Sequence, residues 1–317
     1  MHLAARLSAK ALAVSAALLL VACEEKPPEP APVKPQAAQP LPAPLNPHTL
    51  NQLQTFQQAA NELMVATIVC TDSLNTLGQQ FLDQVSPENF ELVKNQWQGC
   101  LEIYQASRAL IGFTPAHQAA LDKAHSNLGN ALQMPGFIDS VEGYPFSGIV
   151  NDASLPLSTK NLREQHGLTD ESDVSIGIYV IGFLLNGENN TRPPSDFEAQ
   201  KTWNDSRTDL PISEHSNNRR RKLLQLTLAM ATQDSKALQH AWMQGEPPTT
   251  ERAATQWEQR QQTALLENLE QHPNNQALAN QIDVWLSEGI IPGAENDEPV
   301  LNSLKQKLAE NTAEPAS

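Results

Sequence analysis

An all-α fold is what this 317-residue sequence predicts. Three observations carry it. Aromatic residues make up only 5% of the chain, and Gln, Asn, Ala and Leu dominate, a composition that suits long amphipathic helices better than a sheet. Apolar residues recur at helical spacing through most of the sequence after residue 46. No convincing run of alternating apolar and polar residues marks a strand, and no short internal repeat is present.

The first 22 residues read as an address rather than as fold. His2, Arg6 and Lys10 form a weakly basic start, and Ala11 to Val21 is an apolar core of signal-peptide length. It ends Leu20-Val21-Ala22-Cys23, which resembles the bacterial lipobox. That resemblance implies cleavage before Cys23 and acylation of the new N-terminal cysteine, a membrane anchor. Glu24 follows, which by the sorting rule for lipoproteins implies the outer membrane, facing the periplasm. Residues 23–47 are then a Pro- and Ala-rich tether. They hold too little large apolar surface to offset their ordering entropy, so they are expected to stay disordered and extended at roughly 3 Å per residue.

The folded part is expected over 48–311. Asn46 to Gln84 predicts a first long helix, with Leu50, Leu53, Phe56, Ala60, Leu63, Met64, Thr67, Ile68, Thr71, Leu74 and Leu77 at helical spacing. Ser86-Pro87-Glu88 is a stop and a new start, with Ser86 as N-cap and Pro87 at the first helical position. The second helix is expected to run to Ile111, closed by Gly112. Thr114-Pro115 opens a third, to about Leu132. Gln133 to Ser172 holds several Pro and Gly residues and predicts a long irregular stretch that folds back on the core. Asp173 to Gly187 is the most apolar run of the mature chain. Its apolar residues are not confined to one stripe, so a central helix buried on most sides is favoured, with a buried strand as the competitor because Val174, Ile176, Ile178, Val180 and Ile181 are β-branched. Gly187 to Pro211 is a polar connection. Helices follow at Ser213–Gln244, Thr250–Gln271, Asn275–Glu288 and Asn302–Ala309, and 312–317 is expected to be a disordered tail.

Cys70 and Cys100 are the only cysteines besides Cys23. Each lies fifteen residues from position 85, the turn between the first two helices, so in an antiparallel pair they sit at equal height. An oxidising compartment outside the inner membrane then predicts a Cys70–Cys100 disulfide, contributing on the order of 3 kcal/mol. Two buried free thiols are the alternative.

Four places resemble the imelysin family, the insulin-cleaving metalloprotease or M75 family. Trp97 to Gly112 is similar to its second helix, which ends at a glycine. Val141 to Asp152 is similar to its Tyr/Trp-Pro loop. Gly177 to Gly187, with Phe183-Leu184-Leu185-Asn186-Gly187, is similar to the helix that carries its Gly-x-His-x-x-Glu motif. Asn218-Arg219-Arg220-Arg221 is similar to its Asn-Arg-Arg-Arg segment. The resemblance implies two packed helical bundles with the motif helix near their junction, and iron or haem uptake as the setting. Alignment on this motif puts Tyr179 where the family has histidine and Gly182 where it has glutamate. A phenol gives up its proton only near pH 10 and glycine offers no ligand, so the metal site built from the motif is expected to be lost.

The chemistry left over is sparse. A net charge of −15 argues against a nucleic-acid partner. No His-Glu-x-x-His, His-x-x-Glu or Gly-x-Ser-x-Gly occurs. His117 and His125 share a face of the third helix but lie more than two turns apart, and read as solvated surface residues, as does His215. The arginine run invites two readings: a carboxylate-binding surface, or a structural role, either as an exposed helix turn or with one arginine folded back to bond the Glu142–Asp152 loop; at least one buried salt bridge is expected here. The candidate ligand or partner residues are therefore Tyr179, Glu142, Tyr144, Asp152, Arg219, Arg220 and Arg221. No metal ligands and no cofactor are expected, with iron the family's implied cargo. The reading favoured is a non-catalytic envelope lipoprotein that binds a small ligand or an envelope protein. A metallopeptidase with ligands outside the motif and a structural or assembly lipoprotein are the alternatives.

Overall fold

The computed structural model describes residues 43–203, 209–294 and 298–312. The signal segment, Cys23 and the tether up to residue 42 lie outside the described residues, as does the tail from 313. The all-α expectation holds: the described residues contain nine α-helices and, apart from two isolated bridges, no β-structure.

Helix α1 spans Pro47–Asp83 and is capped by Asn46, whose side chain accepts from the Thr49 amide. It starts where the tether was expected to end, but the chain is already docked before it. Pro44 bridges Thr250 and the Leu45 amide donates to the Thr249 carbonyl, so the last tether residues are pinned by backbone pairing. Helix α2, Pro87–Ser107, starts at the Ser86-Pro87 cap as expected. It stops short of Ile111. Arg108, Ala109 and Leu110 donate to carbonyls three residues back, a tightening turn that swings the chain toward α3. Gly112 allows that turn, because a Cβ there would lie 2.4 Å from the Gln118 amide nitrogen. Helix α3, Pro115–Gly129, is capped by Thr114.

The stretch expected to be irregular contains a 3-10 turn at Pro135–Phe137 and one short helix, α4, Thr159–Gln165, nucleated by the Ser158 cap. The apolar run is helical only in its second part, and its first part is irregular rather than the competing strand. Val174 to Gly177 is not helical, and α5 occupies only Ile178–Asn186. Gly177 sets the junction: its φ is +102°, and a Cβ would lie 2.7 Å from the Leu128 carbonyl oxygen. Val174, Ile176, Ile178, Val180, Ile181, Leu184 and Leu185 are all buried, as an all-round apolar segment requires. Helix α6 spans Ser216–Met243, α7 Glu251–Gln271, α8 Gln276–Ser287 and α9 Glu298–Thr312, the last longer than its periodicity suggested.

Two bundles result. In the larger, α1 lies between α2 and α6, α3 packs on α6, and α5 is wedged against α2, α3 and α6. In the smaller, α7, α8 and α9 pack together, and α8 also leans on α2. An aromatic contact joins them: Phe56 of α1 meets Trp257 of α7 and Trp285 of α8 edge-on, with centroids 5.5 and 5.4 Å apart. The Cys70–Cys100 disulfide links α1 to α2, with Cα atoms 5.4 Å apart, as the equal-height argument required.

Candidate functional site

The arginine run is turned inward as a clamp. Arg219 and Arg220 are buried and Arg221 is half-buried. The Arg219 guanidinium donates to the carbonyls of Val150, Ile149 and Leu155 and pairs with Glu214. Arg221 donates to the carbonyls of Phe197 and Leu82. Arg220 grips Asp139 through two bonds, Nε to Oδ2 at 2.6 Å and Nη2 to Oδ1 at 3.0 Å. Arg192 Nη2 reaches the same carboxylate at 2.9 Å. Asp139 is 0% exposed. Burial pushes its carboxyl up, but the Arg220 hydrogen bonds and the Arg220 and Arg192 charges outweigh that and hold it below the usual range. Burial lowers Arg192 in turn, against the pull of Asp139. Each guanidinium is turned inward: Arg219 and Arg220 brace the 133–172 stretch, and Arg221 ties Leu82 near the end of α1 to Phe197.

The loop they brace presents the other candidates outward. Tyr144 and Phe146 are each 70% exposed. Glu142 is exposed, and its amide donates to the Glu188 carboxylate. Asp152 is exposed and caps its own turn by accepting from Ser154. Tyr179 lies elsewhere, so the structure does not gather the sequence candidates into one site.

Tyr179, on the first turn of α5, is half-buried and lines a cleft of 440 Å³ where the two bundles meet. Arg108, Gly129, Asn130, Glu267, Asn268 and His272 line the same cleft. Three helices end on it: Arg108 is the C-cap of α2, Asn130 that of α3 and His272 that of α7. Behind the wall, Tyr104 and His125 form a buried pair, phenol oxygen to Nδ1 at 3.2 Å. Burial and the Arg108 guanidinium push His125 down to about 3, and burial pushes the Tyr104 phenol up.

Gly182 does not reach the cleft. A Cβ at 182 would lie 2.2 Å from Cζ2 of Trp97, whose Nε1 donates to the Ile178 carbonyl at 2.8 Å. The indole fills the space a longer side chain at 182 would need. Among the described residues no group of three or more His, Cys, Asp or Glu is placed to hold a metal ion.

The histidines expected at the surface are inside. His117 and His125 are buried, in line with Leu121 and Leu128 on the core face of α3. His117 Nδ1 accepts from the Phe113 amide and its ring stacks near Trp242. His215 is buried and caps α6 through the Asn217 amide. The sequence reading missed Asp139, Arg192, Arg108 and Asn268. A helical-wheel count did carry the first signal of the clamp, since Arg219 and Arg220 stand one turn before the buried Leu223 and Leu224.

No curated protein matches the chain closely enough to serve as a relative. The family match is clear: the imelysin (peptidase M75) family model covers residues 65–311, and the chain belongs to the imelysin family.

Proposed function

We propose that this chain is a non-catalytic, ligand-binding imelysin-family lipoprotein of the cell envelope. In this reading Cys23 is acylated and anchors it in the outer membrane facing the periplasm, and it acts as an accessory to iron or haem uptake rather than as the chelator. The observation that carries the reading is the Trp97 indole standing where a side chain at position 182 would go. With that space filled and a phenol at 179, the motif helix presents a cleft wall instead of a metal-binding pair. The cleft at Tyr179 is the ligand site in this reading. The test is metal analysis and iron titration of the mature chain. The expected result is no stoichiometric iron. One iron per chain bound at micromolar affinity overturns the accessory role.

The exposed Tyr144 and Phe146 favour a second reading, in which the braced loop docks on an envelope protein. Replacing both with Ser would then abolish the association and leave ligand binding at the cleft unchanged.

A further inference from the structure

The tip of the braced loop, residues 142–146, is exposed throughout. It holds the Tyr144 and Phe146 rings out, each 70% exposed. The backbone beneath them is fixed. The Tyr144 amide donates to the Val141 carbonyl at 2.9 Å, and the Ser147 amide to the Tyr144 carbonyl at 3.2 Å. The Ser140 hydroxyl donates to the Pro145 carbonyl and the Asn151 amide group to the Ser147 carbonyl, both at 2.7 Å. Asp139, at the root of the loop, is gripped by Arg220 and Arg192. The two rings thus stand on ordered backbone, and a partner need not order the loop on binding.

The charge around the rings has one sign. Glu142 lies in the tip itself, and its amide donates to the Glu188 carboxylate at 2.6 Å. Asp152 stands exposed further along the same loop. Among the described residues none of these three carboxylates is in an ion pair. The nearby arginines are turned away from them: Arg192 and Arg220 hold Asp139, and Arg219 holds Glu214 and loop carbonyls. An aromatic face attracts a cation through its quadrupole, and carboxylates beside it attract the same group. An anionic bilayer would be repelled. The tip is also remote from the point where the chain enters the fold. Leu45 pairs with Thr249 beyond the C-terminal end of α6, whereas the clamp sits at its N-terminal end, and α6 has 28 residues, about 40 Å.

Resting on the second reading above, in which this loop docks on an envelope protein, we infer that the partner presents a basic segment. Its lysine or arginine side chains stack on Tyr144 and Phe146 and pair with Glu142, Glu188 and Asp152. The rings supply the contact area and the carboxylates supply the selection for charge.

The three tyrosines make the test direct. Tyr104 is buried, Tyr144 is in the tip and Tyr179 lines the cleft. An array of random decapeptides is probed with the mature chain, and the bound set should be enriched in Lys and Arg. The tightest binder is then titrated into the chain labelled with 3-fluorotyrosine, its resonances assigned with Tyr144→Phe and Tyr179→Phe. It should move Tyr144 saturably, with a Kd below about 0.1 mM, and leave Tyr179 in place. Tyr144→Ser with Phe146→Ser should weaken binding at least tenfold. Glu142→Gln with Glu188→Gln, which keeps an acceptor for the Glu142 amide, should do the same. The inference is overturned if the bound set is not enriched in Lys and Arg, if the tightest binder leaves Tyr144 unmoved, or if the paired Gln variant binds like the wild type. Further titrations separate the two failures. A Tyr144 shift with neutral or acidic peptides rejects the basic partner and keeps the docking loop. A shift only with phosphatidylglycerol vesicles or N-acetylglucosamine oligomers, or with nothing, rejects both.

Discussion

Asp139 is where a single substitution should hurt most. Its two oxygens accept from Arg220 twice, from Arg192 once and from the Ser140 amide at 2.8 Å. Asp139→Asn keeps the shape but removes the charge and turns a donor toward a guanidinium. Removing one partner of a buried ion pair costs about 3–5 kcal/mol, because the remaining charge stays buried and uncompensated. Arg192 retains Asp196 at 3.1 Å, and Arg220 retains the Asp196 carbonyl at 3.0 Å. Those partners argue for the lower bound, about 3 kcal/mol, against a total of about 5–15 kcal/mol for a typical protein. The assay is urea denaturation followed by circular dichroism. With a slope of about 3 kcal/mol per molar, the midpoint should fall by about 1 M. The pH dependence has a fixed sign. The folded carboxyl lies below its unfolded value, so its contribution is complete above that value, about 3.9, and is lost as pH falls through the folded value. The gap between wild type and Asp139→Asn should therefore be constant above pH 5 and close in stronger acid. A midpoint shift below about 0.3 M at pH 7 would refute the reasoning, since it would mean the clamp contributes no more than an exposed pair.

Asp234 offers the opposite case. Arg163 lies 2.6 Å away, yet burial raises the Asp234 carboxyl and its Oδ2 has no partner, so Asp234→Asn should change stability at pH 7 by less than about 1 kcal/mol, and a loss above 2 would contradict this. The disulfide closes a loop of 30 residues, worth about 3.6 kcal/mol in the chain-entropy model. Reduction should lower the melting temperature by roughly 7 °C in calorimetry at about 2 °C per kcal/mol. His125, pushed down to about 3, is kept neutral in the fold, so stability should begin to fall below about pH 6.5, by about 2 kcal/mol at pH 5. His125→Phe should flatten that slope in denaturation curves at pH 5 and 7. Gly182→Glu should destabilise by about 2 kcal/mol or more through overpacking against Trp97, and soluble expression with an unchanged midpoint would show that the indole can move aside.

What the sequence made legible was local. Ser86-Pro87 and Thr114-Pro115 announced helix starts because a cap acts within three residues, and both caps form. The cysteine pair was legible because one tight turn fixes the height of two antiparallel helices. The apolar run was read as buried, and it is, but its helical start was misplaced because Gly177 turns the chain through a close approach to Leu128 that no local pattern shows. The clamp was half legible. Arg220 and Asp139 are 81 positions apart, and the bond between them belongs to the tertiary fold. Arg192, between Thr191 and Pro193, falls in the stretch that the sequence marks only as a polar connection. His117 and His125 were misread because residue type was weighed above position: their spacing with Leu121 and Leu128 already put them on the buried stripe of α3.

Positions 179 and 182 show how one short helix serves two surroundings. They lie three apart on α5, yet they face different surroundings. Residue 179 opens on the cleft while the rest of its ring packs against the core. Residue 182 faces α2, where the Trp97 ring takes the room and bonds the Ile178 carbonyl of the same helix. A glutamate there would have to displace a half-buried indole and break that bond. The glycine and the tryptophan are therefore one packing unit, and the absence of the acid is built into the contact between α2 and α5 rather than into the site alone. The cleft keeps its walls because they come from helix ends fixed by the rest of both bundles. The chemistry they present is the Tyr179 phenol beside the Arg108 guanidinium and the Glu267 carboxylate.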